Sequence, residues 1–484
     1  MSKIDRTNFT KIVLFVGLSC SITVLAFAQG HGEELVNTRL VGTHDLQARS
    51  AYQPLPVIQD GRHILYVGHH AGEALNPLTG EIEVNGTSIL DVTDPTRPVY
   101  LYHIPASGDA QGSQMVQVCS GNDLPGADAG ETYLLRANGN QSHELWNVSD
   151  PSDPTFVTTV AQMGRTPDGQ QNTHKTWWEC DSGLAYLVGT VDGWRAPRIV
   201  QAFDLATPDE PHRVRDFSLD GVQPDTSGPV YGGSGVHEVV RLDNRLYISY
   251  GTSRDGVFQI VDREKLLSGD SNAAAPLESS SAALRFPQVG RLDLPAFWGG
   301  HTAVPLLDME IIDYSPNRDQ RIRDFVVLVS ESVANQCQEA RHAVFFVDIT
   351  DEAHPWPVST FQVPESDGGF CTRGGRFGSH GTQWHMGPPF YKKIQVFSWF
   401  NAGMRVVDIR NPFLPIEVGY YIPATTLNTD QRCITINGVE SCKTAIQTNN
   451  VEVDDRGLIY LVDRANTGLH IVELTGSAAE ILER

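Results

Sequence analysis

Short apolar runs separated by polar turns recur along the whole chain, and the stretch 395–423 holds one complete copy of the pattern. It reads as strand, polar turn, strand, proline turn and strand. Its middle strand ends at Asp408, and Pro412 and Pro415 follow, where a fixed φ and a missing donor stop the strand. Similar runs end at Asp91, Asn147, Asp204, Asp262, Asp348, Asp408 and Glu473.

These seven positions are separated by 56, 57, 58, 86, 60 and 65 residues, so the period lies near 58 with one long exception. A repeat of this length with several short strands is typical of a propeller blade. The alternative is a β-sandwich whose strands share ordinary composition. Because seven copies in phase are hard to obtain by chance, we predict an all-β chain folded as a seven-bladed β-propeller.

The last repeat stops after its third strand, since only residues 475–484 follow it. The N-terminal stretch 35–42 resembles the outer strand of the other repeats. We expect it to complete the seventh blade, which would close the ring and remove two exposed strand edges. The long interval contains a run of small and polar residues at 268–284, which predicts a solvated surface loop.

The runs GMRVVDIRNPFLPIEVG and TSILDVTDPTRPVYLYHIP resemble the LVIVD repeat of exported bacterial and archaeal propeller proteins. The resemblance covers essentially all of the chain after residue 28. It implies a propeller fold and export from the cytoplasm. It implies no particular activity, because fold and function are separable.

The N-terminal residues have the composition of a cleaved export signal. Basic residues precede the apolar run 12–28, which ends in the sequence Ala-Phe-Ala. We expect cleavage after Ala28, a periplasmic or secreted protein, and one propeller domain over 29–484. No later run is long and apolar enough to predict a membrane span.

The formal net charge of −22 describes a strongly acidic protein. Such a field repels nucleic acid and anionic lipid, and no run of lysine or arginine offsets it locally. We therefore expect no nucleic-acid partner. A small-molecule ligand or substrate fits this charge better than a polyanion.

Six cysteines remain after the predicted cleavage, in a compartment where disulfides persist. Asn437 and Gly438 predict a two-residue hairpin turn. Counting outward from it, Cys433 faces Cys442 in a non-hydrogen-bonded pair, where Cα atoms lie about 4.5 Å apart. We predict that bond. The further predicted pairs are Cys119 with Cys180 and Cys337 with Cys371.

Histidine recurs directly before the inner strand of four successive repeats, where a propeller lines its axial channel. These residues are His174, His237, His301 and His380. Imidazoles brought from separate strands to one axis suit Fe, Cu or Zn, so we predict a transition metal held by all four. The alternative is that they bond neighbouring blades or line a wet channel. His385 follows His380 by five residues, at opposite strand parity, and is the weaker candidate.

The remaining blades carry other polar residues near this position. We expect three of them to orient a substrate at the channel mouth, namely Tyr52, Gln114 and Asn450. His69 and His70 follow the second strand of the first repeat, and His143 falls at the matching place in the next. They are predicted either as further ligands or a proton-transfer group, His70 above all, or as exposed loop histidines.

Two further features belong to the predicted mouth. Glu238 and Glu144 each adjoin a histidine and are candidates for orienting an imidazole, although neighbouring residues of a strand face opposite sides. Aromatic and basic residues that would suit a small anion or sugar, or that pack between blades, are Trp177, Trp178, Trp194, Arg195, Arg254, Phe297, Trp298 and Arg464.

The leading interpretation is an exported propeller whose axial metal performs redox or lyase chemistry on a small molecule. Axial four-histidine sites recur in propeller oxygenases, and the run IVQAFDL is similar to tails in methanethiol oxidase and selenium-binding proteins. One alternative is a non-catalytic module that binds a ligand at the mouth or a protein partner at the blade rim. Another is a structural envelope protein. Hydrolase and nucleotide-binding motifs in their required context are missing from the sequence.

Overall fold

The computed structural model describes residues 30–107, 111–228, 235–252, 255–275, 277–295, 297–311 and 322–483. The predicted export signal at 1–28 and Arg254 lie outside these ranges. Within them, seven antiparallel sheets stand in a ring, and each forms one blade of a β-propeller. The predicted all-β, seven-bladed fold is confirmed.

The chain begins with β1 (Glu34–Val36) and β2 (Thr38–His44). Blade one contains β3 (Ala51–Gln59), β4 (Arg62–His70), β7 (Gly86–Asp91) and β8 (Val99–Pro105), with a side hairpin of β5 (Glu73–Leu75) and β6 (Ile82–Val84), and β9 (Gly112–Ser113) added to β4. Blade two contains β10 (Val116–Ser120), β11 (Thr132–Asn138), β12 (Ser142–Asn147) and β13 (Thr155–Gln162). Blade three contains β14 (Thr173–Trp178), β15 (Leu184–Gly189), β16 (Ile199–Asp204) and β17 (His212–Phe217).

Blade four contains β18 (Val236–Leu242), β19 (Arg245–Tyr250), β20 (Val257–Asp262) and β21 (Gln288–Asp293). Blade five contains β22 (Thr302–Glu310), β23 (Ile322–Val329), β24 (Val344–Asp348) and β25 (Trp356–Phe361). Blade six contains β26 (Ile394–Ser398), β27 (Met404–Asp408) and β28 (Ile416–Ile422), and the hairpin of β29 (Gln431–Ile436) and β30 (Val439–Thr444) follows it. Blade seven contains β31 (Thr448–Val453), β32 (Leu458–Asp463) and β33 (Leu469–Leu474). The helices are α1 (Arg263–Ser268), α2 (Ser281–Arg285), α3 (Phe370–Arg373) and α4 (Gly476–Glu483), with single 3₁₀ turns at Leu46–Ala48 and Glu365–Asp367.

The recurring aspartate at the end of each third strand has a local structural cause. The Asp91 carboxylate accepts a bond from the backbone N–H of Thr93, two residues on, at 2.8 Å, and Asp408 does the same for Arg410 at 3.0 Å. This geometry stops the strand and starts the turn. The same bond recurs at Asn147, Asp204 and Asp348. The sequence repeat is therefore a repeat of turn chemistry.

The ring closes through the N-terminus, as predicted, although the boundaries differ. Strand β2 pairs with β33, from Thr38 opposite Leu474 to His44 opposite Leu469, and completes blade seven. The preceding strand β1 pairs instead with β28 of blade six. Asn37 separates the two strands with a φ of 50°, which redirects the chain from one blade to the next.

Blade six begins with an irregular inner segment. The main chain pairs at its start, where the His380 N–H donates to Ser398 O and the Ser398 N–H to Gly381 O, both at 3.0 Å. Beyond that point the Gln383 side chain bonds Ile394 O at 3.2 Å and the Val396 N–H at 2.6 Å. Side-chain amides thus replace part of the ladder.

All three predicted disulfides form. Cys433 faces Cys442 in the ladder of the β29–β30 hairpin, with Cα atoms 4.0 Å apart. The Cα separation is 5.3 Å for Cys119–Cys180, which joins blades two and three, and 5.4 Å for Cys337–Cys371. Among the described residues, no helix is long and apolar enough to cross a membrane.

The prediction of a solvated loop at 268–284 is wrong at its C-terminal end. Residues 281–285 form α2, in which Ala283 and Leu284 are buried. Arg215 of blade three fixes this segment, because its guanidinium donates to Leu266 O at 2.7 Å and to Ala283 O at 2.8 Å. The sequence pattern did not predict this contact, because Arg215 binds backbone carbonyls and the side chains of the segment are small and polar.

Candidate metal centre

Four histidines from four successive blades lie together on the axis. The Nε2 atoms of His174 and His237 are 2.8 Å apart. Ring centroids are 3.9 Å apart between His237 and His301, and 4.4 Å apart between His301 and His380. His237, His301 and His380 are at most 1% exposed. The structure therefore brings all four sequence-predicted ligands into one cluster.

β-Bulges at the starts of the inner strands aim these side chains. The pairing of β14 with β15 skips His174 and Lys175, and the pairing of β18 with β19 skips His237. Equivalent bulges hold Tyr52 in β3 and Asn449 in β31. A bulge re-aims a side chain and breaks the alternation of a strand. Adjacent residues such as His174 and Lys175 consequently both reach the channel.

Hydrogen bonds at Nδ1 fix three of the imidazoles. Nδ1 of His237 lies 3.1 Å from His301 O, and Nδ1 of His380 lies 2.6 Å from Asn449 O. A backbone carbonyl only accepts, so both Nδ1 atoms carry the proton. Nδ1 of His301 lies 2.7 Å from the hydroxyl of Thr302. The three Nε2 atoms therefore carry lone pairs that can bind a metal. Nε2 of His237 accepts a hydrogen bond from Nε2 of His174 at 2.8 Å, and this bond has to break before His237 binds an ion.

Glu331 supplies a carboxylate that the sequence prediction did not include. One oxygen lies 3.7 Å from Nε2 of His237 and the other 3.7 Å from Nε2 of His380. Arg376 holds this carboxylate with a 3.0 Å bond. The ligand atoms of His237, His301 and Glu331 all lie within 4.8 Å of one another. Two imidazoles and a carboxylate are a donor set that suits first-row transition metals.

A buried charge network lies behind His301. The Thr302 hydroxyl donates to Glu238, and Nζ of Lys175 lies 3.0 Å from the same carboxylate. Since the hydroxyl proton goes to Glu238, the Thr302 oxygen accepts from Nδ1 of His301. Nε2 of His301 has no hydrogen-bond partner in the described residues. An unsatisfied buried nitrogen aimed at the cluster fits a missing ligand bond.

The histidines of the cluster are neutral near pH 7, which is the form that binds a metal. Burial lowers the pKa of His237 well below its ordinary value, and the nearby His174 and Arg198 lower it further. Burial also lowers the pKa of His301, with added effects of His237 and Lys175. A metal therefore does not have to displace protons from these imidazoles at neutral pH.

Tyr52 contacts two histidines of the cluster. Its ring centroid is 5.9 Å from that of His174 and 5.8 Å from that of His380. The residue is 2% exposed, and its hydroxyl has no hydrogen-bond partner among the described residues. Burial and the carboxylate of Glu331 raise the pKa of Tyr52 well above its ordinary value. Its hydroxyl therefore stays protonated near neutral pH.

The other predicted substrate-orienting residues lie in different places. Gln114 and His70 line a cavity at the channel mouth, and the His70 ring packs edge-on against Tyr52 at 4.9 Å. Asn450 instead lies between blades, where its amide donates to Gln53. Its neighbour Asn449 is the residue whose carbonyl contacts His380.

The loop placement predicted for three histidines is wrong. His69 and His70 lie in β4 and His143 lies in β12. His69 and His143 are fully buried. His69 bonds the Ser88 hydroxyl at 2.8 Å, whereas neither ring nitrogen of His143 has a partner in the described structure. The second strand of blade one and the third strand of blade two extend further toward the mouth than their apolar runs indicate.

The neighbouring-glutamate prediction is also corrected. Glu238 contacts Thr302, which bonds His301, and so it supports the histidine of the next blade instead of His237. Within the described ranges, Glu144 forms no hydrogen bond with a histidine. Its carboxylate binds Arg136 at 3.0 Å and Asn138 at 2.6 Å.

Most of the predicted mouth aromatics lie elsewhere. Trp177 and Trp384 pack edge to face at 6.3 Å below the cluster, where Met115, Val240 and Val304 fill the channel. Trp178 packs between blades two and three, and Trp194 between blades three and four.

The remaining predicted mouth residues have different contacts. Arg195 bonds the backbone carbonyl of Gly221, and the indole of Trp298 bonds the backbone carbonyl of Arg341. Phe297 is exposed. Arg464 does line the mouth cavity.

Two other groups have ligand atoms close enough to hold an ion. One contains Cys433, Cys442 and Glu440, but its cysteines form a disulfide and are not thiolates. The other contains His63, Asp454 and Asp455. Asp454 already binds Arg456 and the Tyr460 hydroxyl, each at 2.8 Å. The axial group is the stronger candidate, because its three members are all buried and Nε2 of His301 has no hydrogen-bond partner among the described residues.

Comparisons with known proteins add little to this geometry. No protein-family model matches the chain, and no curated protein matches it. Among solved structures, the computationally designed Ika8 protein aligns with 90% of this chain and 100% of its own, at 9% identity and a TM-score of 0.42. A likeness of this size carries no argument about function.

Proposed function

We propose that this protein is an exported β-propeller that binds a transition metal at its axis and uses it in redox or lyase chemistry on a small molecule. His174, His237, His301 and His380 are the proposed imidazole ligands. Glu331 joins them as the carboxylate ligand. Fe, Cu and Zn all suit such nitrogen and oxygen donors.

One observation carries the proposal. Three buried imidazoles have their Nδ1 atoms bonded to protein acceptors, so that their Nε2 lone pairs face a shared centre beside Glu331. Nε2 of His301 has no hydrogen-bond partner among the described residues, and leaving a buried polar atom unsatisfied costs free energy on the order of 1–3 kcal/mol. A metal ion bound beside it would satisfy this nitrogen.

The proposal includes family and location. The LVIVD-like tails support membership of that family of exported propellers. Removal of 1–28 would release one propeller domain, 29–484, into the periplasm or the medium. Three disulfides favour an oxidising compartment.

The bound metal would supply Lewis acidity or a change of oxidation state. The protein residues have separate tasks. Lys175 and Glu238 hold Thr302, and Thr302 holds His301 in one tautomer. The protonated hydroxyl of Tyr52 is a donor beside the cluster. Met115 and Trp384 fill the channel below and exclude water from that side.

Elemental analysis of protein purified without a histidine tag tests the proposal. We expect about one equivalent of Fe, Cu or Zn per chain, and its loss in His237→Ala and Glu331→Gln. His385→Ala is the matched control, because this histidine lies on the same blade as His380 but at the other end of the inner segment. Protein without metal after reconstitution with each ion would contradict the proposal.

The alternative is a non-catalytic propeller that binds a ligand at the mouth or a protein partner at the blade rim. It predicts no stoichiometric metal. It also predicts that ligand binding survives alanine substitution of the axial histidines.

A further inference from the structure

A polar cavity lies beside the first and last blades, near the channel mouth. Its volume is about 470 Å³, and its charged and polar lining includes His70, Glu73, Gln114, Asp430, Arg432 and Arg464. His70 packs against Tyr52, and Tyr52 in turn contacts His380. A ligand in this cavity would therefore be separated from the proposed metal centre by one aromatic layer.

Arg464 is the unusual residue of this lining. Its backbone is fixed, because its carbonyl accepts from the Ser50 hydroxyl and from Arg432, both at 2.8 Å, and its N–H donates to Gln447 O at 2.9 Å. Its guanidinium, by contrast, forms no ion pair and no hydrogen bond within the described part of the chain. Burial, with a smaller effect of Arg376, lowers the pKa of Arg464 to about 10.

The second arginine of the cavity differs in this respect. Arg432 lies 3.8 Å from the carboxylate of Asp430 and also donates to Arg464 O. Its charge is therefore partly neutralised by a neighbour. Arg464 has no directly bonded counter-ion, and only the more distant carboxylate of Glu331 partly offsets its charge. Burial of such a guanidinium costs free energy that an incoming anion would recover.

We propose that the mouth cavity binds a small polar organic acid, with its carboxylate on Arg464. This inference goes beyond the proposed function and does not depend on it, because none of the proposed metal ligands lines the cavity. A guanidinium matches a carboxylate with two parallel bonds. The amide of Gln114 lines the same cavity and suits the hydroxyl or carbonyl groups of such an acid. The acidic surface of the whole chain makes a local cation necessary for binding any anion.

Calorimetric titration of the metal-free protein tests this class of ligand. The probes are D-gluconate, its neutral counterpart glucitol, and inorganic phosphate. We expect gluconate to bind at least about tenfold more tightly than glucitol, because only gluconate offers a charged acceptor. Equal affinity for glucitol, or binding of phosphate in place of gluconate, would overturn the assignment of an organic acid.

Substitutions then locate the site. Arg464→Gln should weaken gluconate binding about tenfold to a hundredfold, and Arg464→Lys should restore part of it because the charge remains while the fork is lost. Arg432→Gln, in the same cavity, should weaken it less than about threefold. Unchanged affinity in an Arg464→Gln protein with a wild-type circular-dichroism spectrum would overturn the proposal.

The test of the anion site can succeed or fail independently of the test of the metal centre. Arg464→Gln should retain the metal content of the wild type, whereas His237→Ala should lose metal and still bind gluconate. If the wild type holds no metal but binds gluconate through Arg464, the proposed metal function fails and the anion site stands. If the wild type holds metal but Arg464→Gln binds gluconate normally, the proposed anion site fails and the proposed metal centre stands.

Discussion

The hydroxyl of Thr302 lies 2.7 Å from Nδ1 of His301 and donates its own proton to Glu238. This arrangement fixes the tautomer of His301 through a residue that touches no metal itself. It also links the axial cluster to the buried pair of Lys175 and Glu238. The four histidines come from four blades, and the supporting residues Lys175, Glu238 and Thr302 come from three of these.

Thr302→Val should weaken metal binding about tenfold to a hundredfold, because His301 loses the acceptor that orients it. Thr302→Ser should restore the affinity. The matched control is Thr176→Val, a buried inner-strand threonine whose hydroxyl has no partner in the described structure. Competition with a chromogenic chelator measures the affinities. Normal metal binding by Thr302→Val would contradict the role given to this hydroxyl.

The pair of Lys175 and Glu238 should show strong coupling in a double-mutant cycle. Both side chains are nearly inaccessible, and removing one leaves the other charge buried and unpaired. We expect Lys175→Met alone to lower the free energy of unfolding by about 3–5 kcal/mol. The double variant Lys175→Met/Glu238→Gln should lose much less. Chemical denaturation measures the free energy of unfolding of each variant. If the loss in the double variant equals the sum of the losses in the two single variants, the pair is not coupled.

His143 predicts a pH dependence of stability. Burial lowers its pKa to about 3, while the unfolded chain binds a proton at about pH 6.5. The unfolded state therefore binds more protons as the pH falls, and stability present above pH 6.5 is lost below it. From this residue alone the loss should be about 2 kcal/mol between pH 6.5 and pH 5.

Denaturation of His143→Leu at several pH values checks this. Between pH 6.5 and pH 5, its free energy of unfolding should fall by about 2 kcal/mol less than that of the wild type. His354→Leu is the control, since its side chain is 80% exposed and makes its one ring contact with exposed Asp351. A slope unchanged in His143→Leu would mean that this histidine already binds a proton in the folded state.

The disulfides should contribute unequally to stability. Cys119 and Cys180 are separated by 61 residues, whereas Cys433 and Cys442 are separated by 9. The loop-entropy model gives about 4.3 kcal/mol for the longer loop and about 2.6 kcal/mol for the shorter. Thermal unfolding of the two double-alanine variants compares them. A greater loss from the exposed hairpin would contradict this ranking.

The fold followed from the sequence because each blade repeats one local device. The turn after Asp91 and its counterparts at Asn147, Asp204, Asp348 and Asp408 fixes the end of five third strands, and a period of this kind is visible without coordinates. Ring closure was predictable from a missing strand at one end and a spare strand at the other. The boundary at Asn37 was not, because a single left-handed residue decides which blade each half joins.

The candidate site was only partly predictable. The four histidines share one position in the repeat, so their meeting on the axis follows from the fold. Glu331 directly follows the second-strand run FVVLVS, on the face where the histidines begin, and comparison of that position across the repeats would have nominated it. The role of Lys175 was concealed, because strand alternation places it away from the channel and only the bulge at His174 turns it inward.

Anomalous diffraction from crystals of the reconstituted protein, recorded at the absorption edge of the bound metal, tests the central claim most directly. We expect a peak about 2.0–2.2 Å from Nε2 of His237 and His301 and from an oxygen of Glu331. A peak confined to the group of His63, Asp454 and Asp455, or no peak near the axis, would contradict a metal centre at the histidine cluster.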